Sequence, residues 1–309
     1  MSRAPALTEE ASSPLRRRRT LLQAVLVSLR PTQWTKNFAL LAAPIFARRI
    51  TEPLALGQAL QGVAAFCLLA SAAYLANDIV DRENDRLHPR KRWRPIAAGE
   101  LPVPLAAGVG AALALVGLLL ALGLGWNFLA AAGAYVALQA AYSVALKKVV
   151  LLDVFGLAPG FVLRVVAGGE AVGVEISSWL YLCSFQLALF LALAKRRAEL
   201  VHLAADAPGH RRILADYTTP LLDQLITVLS ACTVLAYALY TRAPETVVKF
   251  GTDRLKFTVP FVLFGLFRYL YLVHRRSGGE QPELVLLFDR PTQLNLAAYL
   301  LVVAWAIYF

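Results

Sequence analysis

The sequence predicts an all-α, polytopic membrane protein with about nine transmembrane helices. Three observations predict it. The 309 residues are 58% hydrophobic and 17% charged, with a mean hydropathy of +0.58, too apolar for a soluble domain of this length. Apolar stretches of about 17 to 22 residues recur, the length a helix needs to cross about 30 Å of hydrocarbon. The basic residues behind the net charge of +11 fall in alternate connections. That is the positive-inside pattern, so the charge reports membrane orientation and gives no reason to expect nucleic acid as a partner.

The spans follow in chain order. The first, near residues 38–54, is the least regular because Arg48 and Arg49 interrupt it, and the second, near 59–77, runs straight into amide and acid. Pro102 and Pro104 open the third, near 103–123, and Gly123 and Gly125 close it before the fourth, near 127–146. The fifth, near 151–169, begins after Lys147 and Lys148 and is followed by a turn marked by Gly168, Gly169 and Gly173. The sixth, near 178–195, ends in Lys195-Arg196-Arg197, and the last three lie near 221–241, 257–273 and 292–308.

With the amino terminus in the cytoplasm, bases cluster inside, in 1–37, 82–94, 147–148, 195–212 and 274–290. Only 242–256, with Arg242, Lys249, Arg254 and Lys256, runs against the rule. Residues 1–28, with Arg16 to Arg19, read as a basic cytoplasmic segment ahead of a membrane domain at 29–309. They lack the apolar core and small-residue cleavage site of a signal peptide. Connections 78–102 and 196–220 are longer and mix acids, bases and proline. Following the second and sixth spans, they point to two four-helix halves plus a ninth helix. Cys67, Cys183 and Cys232 sit inside spans and read as small hydrophobes, and the four histidines lack metal-ligand spacing.

The chemistry concentrates where the second span surfaces. Asp78, Asp81 and Asp85 fall at i, i+3 and i+7, with Asn77 one turn before Asp81. On a helix this groups oxygen donors at a bilayer edge, where unpaired carboxylates are costly, so the set predicts a Mg²⁺ site built from Asn77, Asp78, Asp81 and Asp85. The plain alternative is a solvated helix end whose acids pair with Arg82, Arg86 and Arg90. Lys91, Arg92 and Arg94 follow closely enough to contact phosphate oxygens. Gln33, Lys36 and Asn37 precede the first span at the same interface, where Trp34 and Lys36 equally suit interfacial anchoring. Tyr142 and Lys147 end the fourth span and Asp153 opens the fifth. Arg164, deeper in the fifth, requires a structural partner or a ligand. Lys195, Arg196 and Glu199 end the sixth, with Lys195 and Glu199 spaced to neutralise each other.

Taken together, Asn77-Asp78-x-x-Asp81-x-x-x-Asp85, Arg92-x-Arg94-Pro95-x-x-x-Gly99 and the nine spans resemble the UbiA superfamily of intramembrane prenyltransferases. The resemblance implies a helical bundle with a cytoplasmic-facing cavity open to lipid, and Mg²⁺ held by acidic motifs after the second and sixth helices. This chain keeps the first motif, but Lys195-Arg196-Arg197-Ala198-Glu199 stands in place of the second. Together with Leu29-Arg30-Pro31-x-Gln33-Trp34-x-Lys36-Asn37, Arg164-x-x-Ala167-Gly168-Gly169 and Asp289-Arg290, that departure is similar to the polyprenyl-phosphate phosphoribosyltransferase branch.

That branch implies a multi-pass protein of the bacterial inner membrane that transfers phosphoribose from phosphoribosyl pyrophosphate to a decaprenyl-like phosphate during cell-wall precursor synthesis. Asp78, Asp81, Asp85 and Lys195 are then the expected catalytic residues. Gln33, Lys36, Asn37, Lys91, Arg92, Arg94, Tyr142, Lys147, Asp153, Arg164, Arg196 and Glu199 are expected to meet the two phosphate-bearing substrates. Alternative readings are a prenyltransferase acting on an aromatic or polar acceptor and, less favoured because the charges sit at span ends, a cation-coupled transporter. The sequence leaves homo-oligomerisation open.

Overall fold

A computed structural model describes residues 19–88, 91–203, 214, 216–275 and 282–309. Residues 1–18, 89–90 with Arg90, 204–213, 215 and 276–281 lie outside the described residues. Those described are helical, without strands. In order they form α1 (Leu21–Leu29), a 3₁₀ run (Pro31–Leu41), α2 (Ala42–Phe46), α3 (Pro53–Val80), α4 (Arg82–Leu87), α5 (Val103–Leu122), α6 (Trp126–Val144) and α7 (Leu152–Phe155). Then follow α8 (Ala158–Val172), α9 (Ser178–Leu203), α10 (Thr219–Arg242), α11 (Pro244–Phe250), α12 (Val259–Arg275), α13 (Pro282–Phe288) and α14 (Arg290–Tyr308).

Among the described residues, eight helices are long and apolar enough to cross a membrane. They match the second to ninth expected spans. The expected span at 38–54 is replaced by the 3₁₀ run and α2, which stop at a turn where Arg48 takes φ 61°. Pro31 starts this segment, Pro44 withholds an N–H donor, and the pair Arg48 and Arg49 cannot continue into hydrocarbon. The tighter winding rises faster per residue, so Pro31–Phe46 reaches about 30 Å, close to a full crossing. The boundary expected after residue 28 falls inside α1, whose Ala24 packs with Leu75, Ile96 and Leu101.

Chain direction alternates, so one end of the bundle collects the close of α3, the close of α6, the start of α7, the close of α9 and the start of α14. The opposite end collects Arg48, Trp179, Glu245 and Tyr308, tied by the Arg48 to Phe250 and Trp179 to Glu245 hydrogen bonds. Two cores fill the bundle: one around Phe66, Phe128 and Tyr135, the other around Phe190, Leu222 and Tyr269.

A single close approach sets the height of α8. A Cβ on Gly168 would lie 1.9 Å from the carbonyl oxygen of Leu40. Only glycine admits this contact, and without it the 3₁₀ run could not lie flush on α8. Gly168→Ala is therefore expected to destabilise the protein by at least about 1–3 kcal/mol. Gly133→Ala, mid-helix in α6 where a new Cβ meets nothing within 4 Å, should hold melting or raise it slightly. Thermal unfolding in detergent, followed by the monodisperse fraction, distinguishes the two.

Candidate active site

The predicted acids sit where α3 gives way to α4. Asp81 caps α3, yet its N–H still bonds the Asn77 carbonyl at 2.9 Å and the Asp85 N–H bonds the Asp81 carbonyl at 2.8 Å. The turn therefore continues through a bend, and the four residues divide between two faces. Asn77 and Asp81, one turn apart, face the end of α6. The Ser143 hydroxyl donates to Asn77 Oδ1 at 3.1 Å, and Lys147 Nζ reaches both Asp81 oxygens at 3.1 and 3.0 Å.

Asp78 and Asp85 face the other way and are buried. Arg30 and Arg94 donate to Asp78 at 2.6 and 3.0 Å, and Arg94 also donates to Asp85 at 2.7 Å. Burial pushes the Asp85 carboxyl up, against the pull of Arg94. Arg30 takes φ 53° between α1 and the 3₁₀ run and lies over the Tyr74 ring. Arg94 arrives on the connection after α4, which folds back because Ile96 and Leu101 bury against Leu75. Arg86 and Arg82 approach Glu83 instead of the aspartates.

A second cluster joins α6, α7 and α9. Asp153 and Arg196 are buried side by side, Nε to Oδ2 at 2.5 Å. Arg196 also donates to Glu199 and, at 3.2 Å, to the Tyr142 hydroxyl. Tyr217 donates to Asp153 at 2.6 Å and accepts from the Leu151 N–H at 2.8 Å. Burial, then its bond to Asp153, pushes the Tyr217 hydroxyl well up, so it stays a donor. Every nitrogen of the Arg196 guanidinium is committed to protein. Glu199 thus pairs with Arg196, the residue next to Lys195. Arg197 bonds Asp223 on α10, which His274 also approaches at 3.4 Å.

The two clusters meet on α6. Tyr142 bonds the Arg196 side while Ser143 and Lys147 bond the α3 side. Deeper in the bundle, Arg164 donates to Asn37 Oδ1 at 2.7 Å, the Gly160 carbonyl at 2.8 Å and the Tyr135 hydroxyl at 3.0 Å. Its partners are neutral, with the Tyr135 and Phe161 rings beneath the guanidinium. Asn37 also donates to Cys67, a contact the small-hydrophobe reading of that thiol did not include. Lys36 bonds Gln33, both near the start of the 3₁₀ run. Lys91 and Arg92 lie on a short 3₁₀ turn, Arg92 exposed and stacked on Trp93. The side chain of His202 and all of His210 fall outside the described residues.

Arg30, Ser143, Tyr135 and Tyr217 were not among the expected site residues. Arg30 alone left a signal, an arginine before proline at a span entrance. The donor chemistry bears on Mg²⁺ unevenly. Among the described residues no three acids, histidines or cysteines converge as a ready metal cage. Asn77 and Asp81 nonetheless present hard oxygens one turn apart, which fits an ion that takes one or two protein ligands and completes its shell with water and phosphate. Asp78 and Asp85 are instead occupied by arginine.

A bundle of membrane-length helices that gathers hard oxygen donors and bases at one end suits a phosphate-bearing ligand at the membrane edge. The model of the UbiA prenyltransferase family matches residues 37–296, and the chain belongs to that family. It is 35% identical to a decaprenyl-phosphate phosphoribosyltransferase of Corynebacterium glutamicum, over 94% of this chain and 88% of that one. It is 34% identical to the protein so named in Mycolicibacterium smegmatis, over 98% of both. Its fold matches a UbiA homolog from Archaeoglobus fulgidus bound to GPP and Mg²⁺, with a TM-score of 0.69 and 22% identity over 93% of this chain and 100% of that one.

Removing one partner of a buried pair leaves an uncompensated charge, which costs about 3–5 kcal/mol. Asp153→Asn is thus expected to lower the melting temperature sharply. Asp81→Asn, at a half-open position whose partner Lys147 can turn to water, should shift it little. Differential scanning fluorimetry of the two variants in one detergent makes the comparison.

Proposed function

We propose that this chain transfers the phosphoribosyl group of phosphoribosyl pyrophosphate to a polyprenyl phosphate of decaprenyl-like length, releasing pyrophosphate. One observation carries the reading. Where a second acidic motif would hold another metal, α9 ends in Lys195-Arg196-Arg197, with Arg196 locked between Asp153 and Glu199. With Asp153 and Glu199 spent on Arg196, no carboxylate pair among the described residues is left there for a second metal, and Lys195 adds positive charge beside them. The near-full-length relatives named decaprenyl-phosphate phosphoribosyltransferase support the same conclusion.

An oxygen of the lipid phosphate attacks the anomeric carbon of ribose while the bond from that carbon to pyrophosphate breaks, its electron pair leaving with the pyrophosphate. The nucleophile is already an anion, so no general base is required. Bond cleavage runs ahead and gives the sugar oxocarbenium character, as in glycosyl transfer generally. What remains for the protein is to hold two anions together in a partly dry mouth, where each cationic contact is stronger than in water.

Asn77 and Asp81 would hold Mg²⁺, an assignment supported by the Mg²⁺ bound to the Archaeoglobus fulgidus homolog. An ion held there neutralises charge on the departing pyrophosphate. Lys147, already beside Asp81, contributes a phosphate contact from α6. Gln33, Lys36, Lys91 and Arg92 supply further donors for the soluble substrate, and Lys195 takes the lipid phosphate. Asp78 and Asp85 act through Arg94, whose fork they aim. Asp153 and Glu199 do the same for Arg196, while Asn37 and Tyr135 fix Arg164 at the inner wall. The alternation of basic segments supports a site at the cytoplasmic face of the bacterial inner membrane, with the isoprenoid tail between helices.

The test is pyrophosphate release by protein reconstituted with phosphoribosyl pyrophosphate and a series of polyprenyl phosphates. Release that requires both substrates, with a phosphoribosylated lipid seen by mass spectrometry, is expected; its absence with every lipid overturns the reading. Asp81→Asn should reduce Mg²⁺-dependent turnover about a hundredfold or more while the fold persists. Lys195→Ala should raise the KM for lipid phosphate more than that for the sugar diphosphate.

A further inference from the structure

The segments 48–52 and 242–256 lie at the bundle end opposite the acids, and together they hold six bases, Arg48, Arg49, Arg242, Lys249, Arg254 and Lys256, against three acids. The acids are already engaged. Glu52 pairs with Arg49, Asp253 with Lys256, and Glu245 accepts from Trp179. Among the described residues, Arg48, Arg242, Lys249 and Arg254 have no carboxylate within ion-pair distance. The phosphoribosyl-transfer mouth at the other end of the bundle makes no use of them.

Two of these arginines line one cavity. It measures about 520 Å³ and is bounded by Arg48, Phe250, Gly251, Thr252, Arg254 and the α14 end from Ala306 to Phe309. Arg254 stacks on Trp305 at 4.8 Å, and Arg48 lies over the Phe250 ring at 5.6 Å while giving one N–H to the Phe250 carbonyl. Ring stacking holds a guanidinium by its face and leaves its edge donors usable. The cavity also sits at a defined depth, where one span begins at Arg254 and another ends at Tyr308. That is the headgroup level, and Trp305 and Tyr308 are the aromatic residues that mark it. A phosphate alone would leave much of such a volume empty, whereas a glycerophosphate headgroup fills more of it.

We propose that this cavity binds the phosphodiester headgroup of an anionic phospholipid in the leaflet away from the acidic mouth, with Arg48 and Arg254 as its two clamps and the Thr252 hydroxyl as a further donor. A bound anionic headgroup offsets the excess positive charge at a face where the positive-inside rule disfavours it. Each charge-assisted contact is of the size that changes affinity about tenfold.

The full chain in phosphatidylcholine nanodiscs is titrated with phosphatidylglycerol and, separately, with inorganic phosphate, reading the melting temperature and the lipid retained in native mass spectrometry. Phosphatidylglycerol is expected to raise the melting temperature and remain bound, with retention weakened about tenfold in Arg254→Gln and further in Arg48→Gln/Arg254→Gln. Equal retention by wild type and both variants overturns the proposal. Protection by inorganic phosphate equal to that by the lipid also overturns it, in favour of a free-phosphate site. A photoreactive phosphatidylglycerol on the unaltered protein gives a readout that does not depend on variant folding. Labelling within 248–258 or 303–309 is expected, and labelling confined to other segments sinks the assignment. Pyrophosphate release reports on the opposite mouth, so failure there and failure here are separable.

Discussion

Charge neutralised in place is the constraint on which this bundle depends. Asp78, Asp85 and Asp153 are its buried carboxylates among the described residues, and each is bonded to an arginine drawn from a different element. A carboxylate at the edge of hydrocarbon is tolerable only with such a partner, so these pairs dictate where loops must return. The connection after α4 folds back because Arg94 has two acids to serve. The entry to the 3₁₀ run bends into a left-handed residue because Arg30 must reach Asp78.

This arrangement separates scaffold from chemistry within one short motif. Alternate sides of the α3 end do different work: Asp78 and Asp85 anchor the connection after α4, while Asn77 and Asp81 turn toward α6. Tyr142 and Ser143 at the end of α6, and Lys147 on the 3₁₀ turn that follows, then touch both acid clusters. Lys147, the partner of Asp81, stands five residues from Tyr142, the hydroxyl that Arg196 meets. That proximity gives two half-sites a common wall.

Much of this was legible in the sequence, and the reasons are local. Eight spans showed because length and apolarity are properties of contiguous residues, and the acidic motif showed because helical spacing maps directly to a surface. The crossing before α3 was misplaced because its winding is not encoded in apolar content; Pro31, Pro44 and Arg48 mark its limits only after the backbone is seen. The bases expected to pair with the acids, Arg82, Arg86 and Arg90, are their neighbours in sequence. The basic partners found are Arg30, Arg94 and Lys147, the last 66 residues away from Asp81. Burial of Ile96 and Leu101 brings Arg94 in, and no spacing rule reports that. Arg196 carried its positive charge openly in the sequence, but its confinement by Asp153 and Tyr142 depends on how α7 and α6 meet α9.

The contact between Leu40 and Gly168 reaches further than its size suggests. With a carbonyl oxygen where a methyl would stand, α8 can neither slide nor roll by one residue, so the guanidinium one turn below is pinned at a set depth whatever tail length occupies the bilayer. Evolution is then free to retune which isoprenoid fits by altering the lipid-facing helices, while this notch keeps the headgroup end in register like the fixed jaw of a vice.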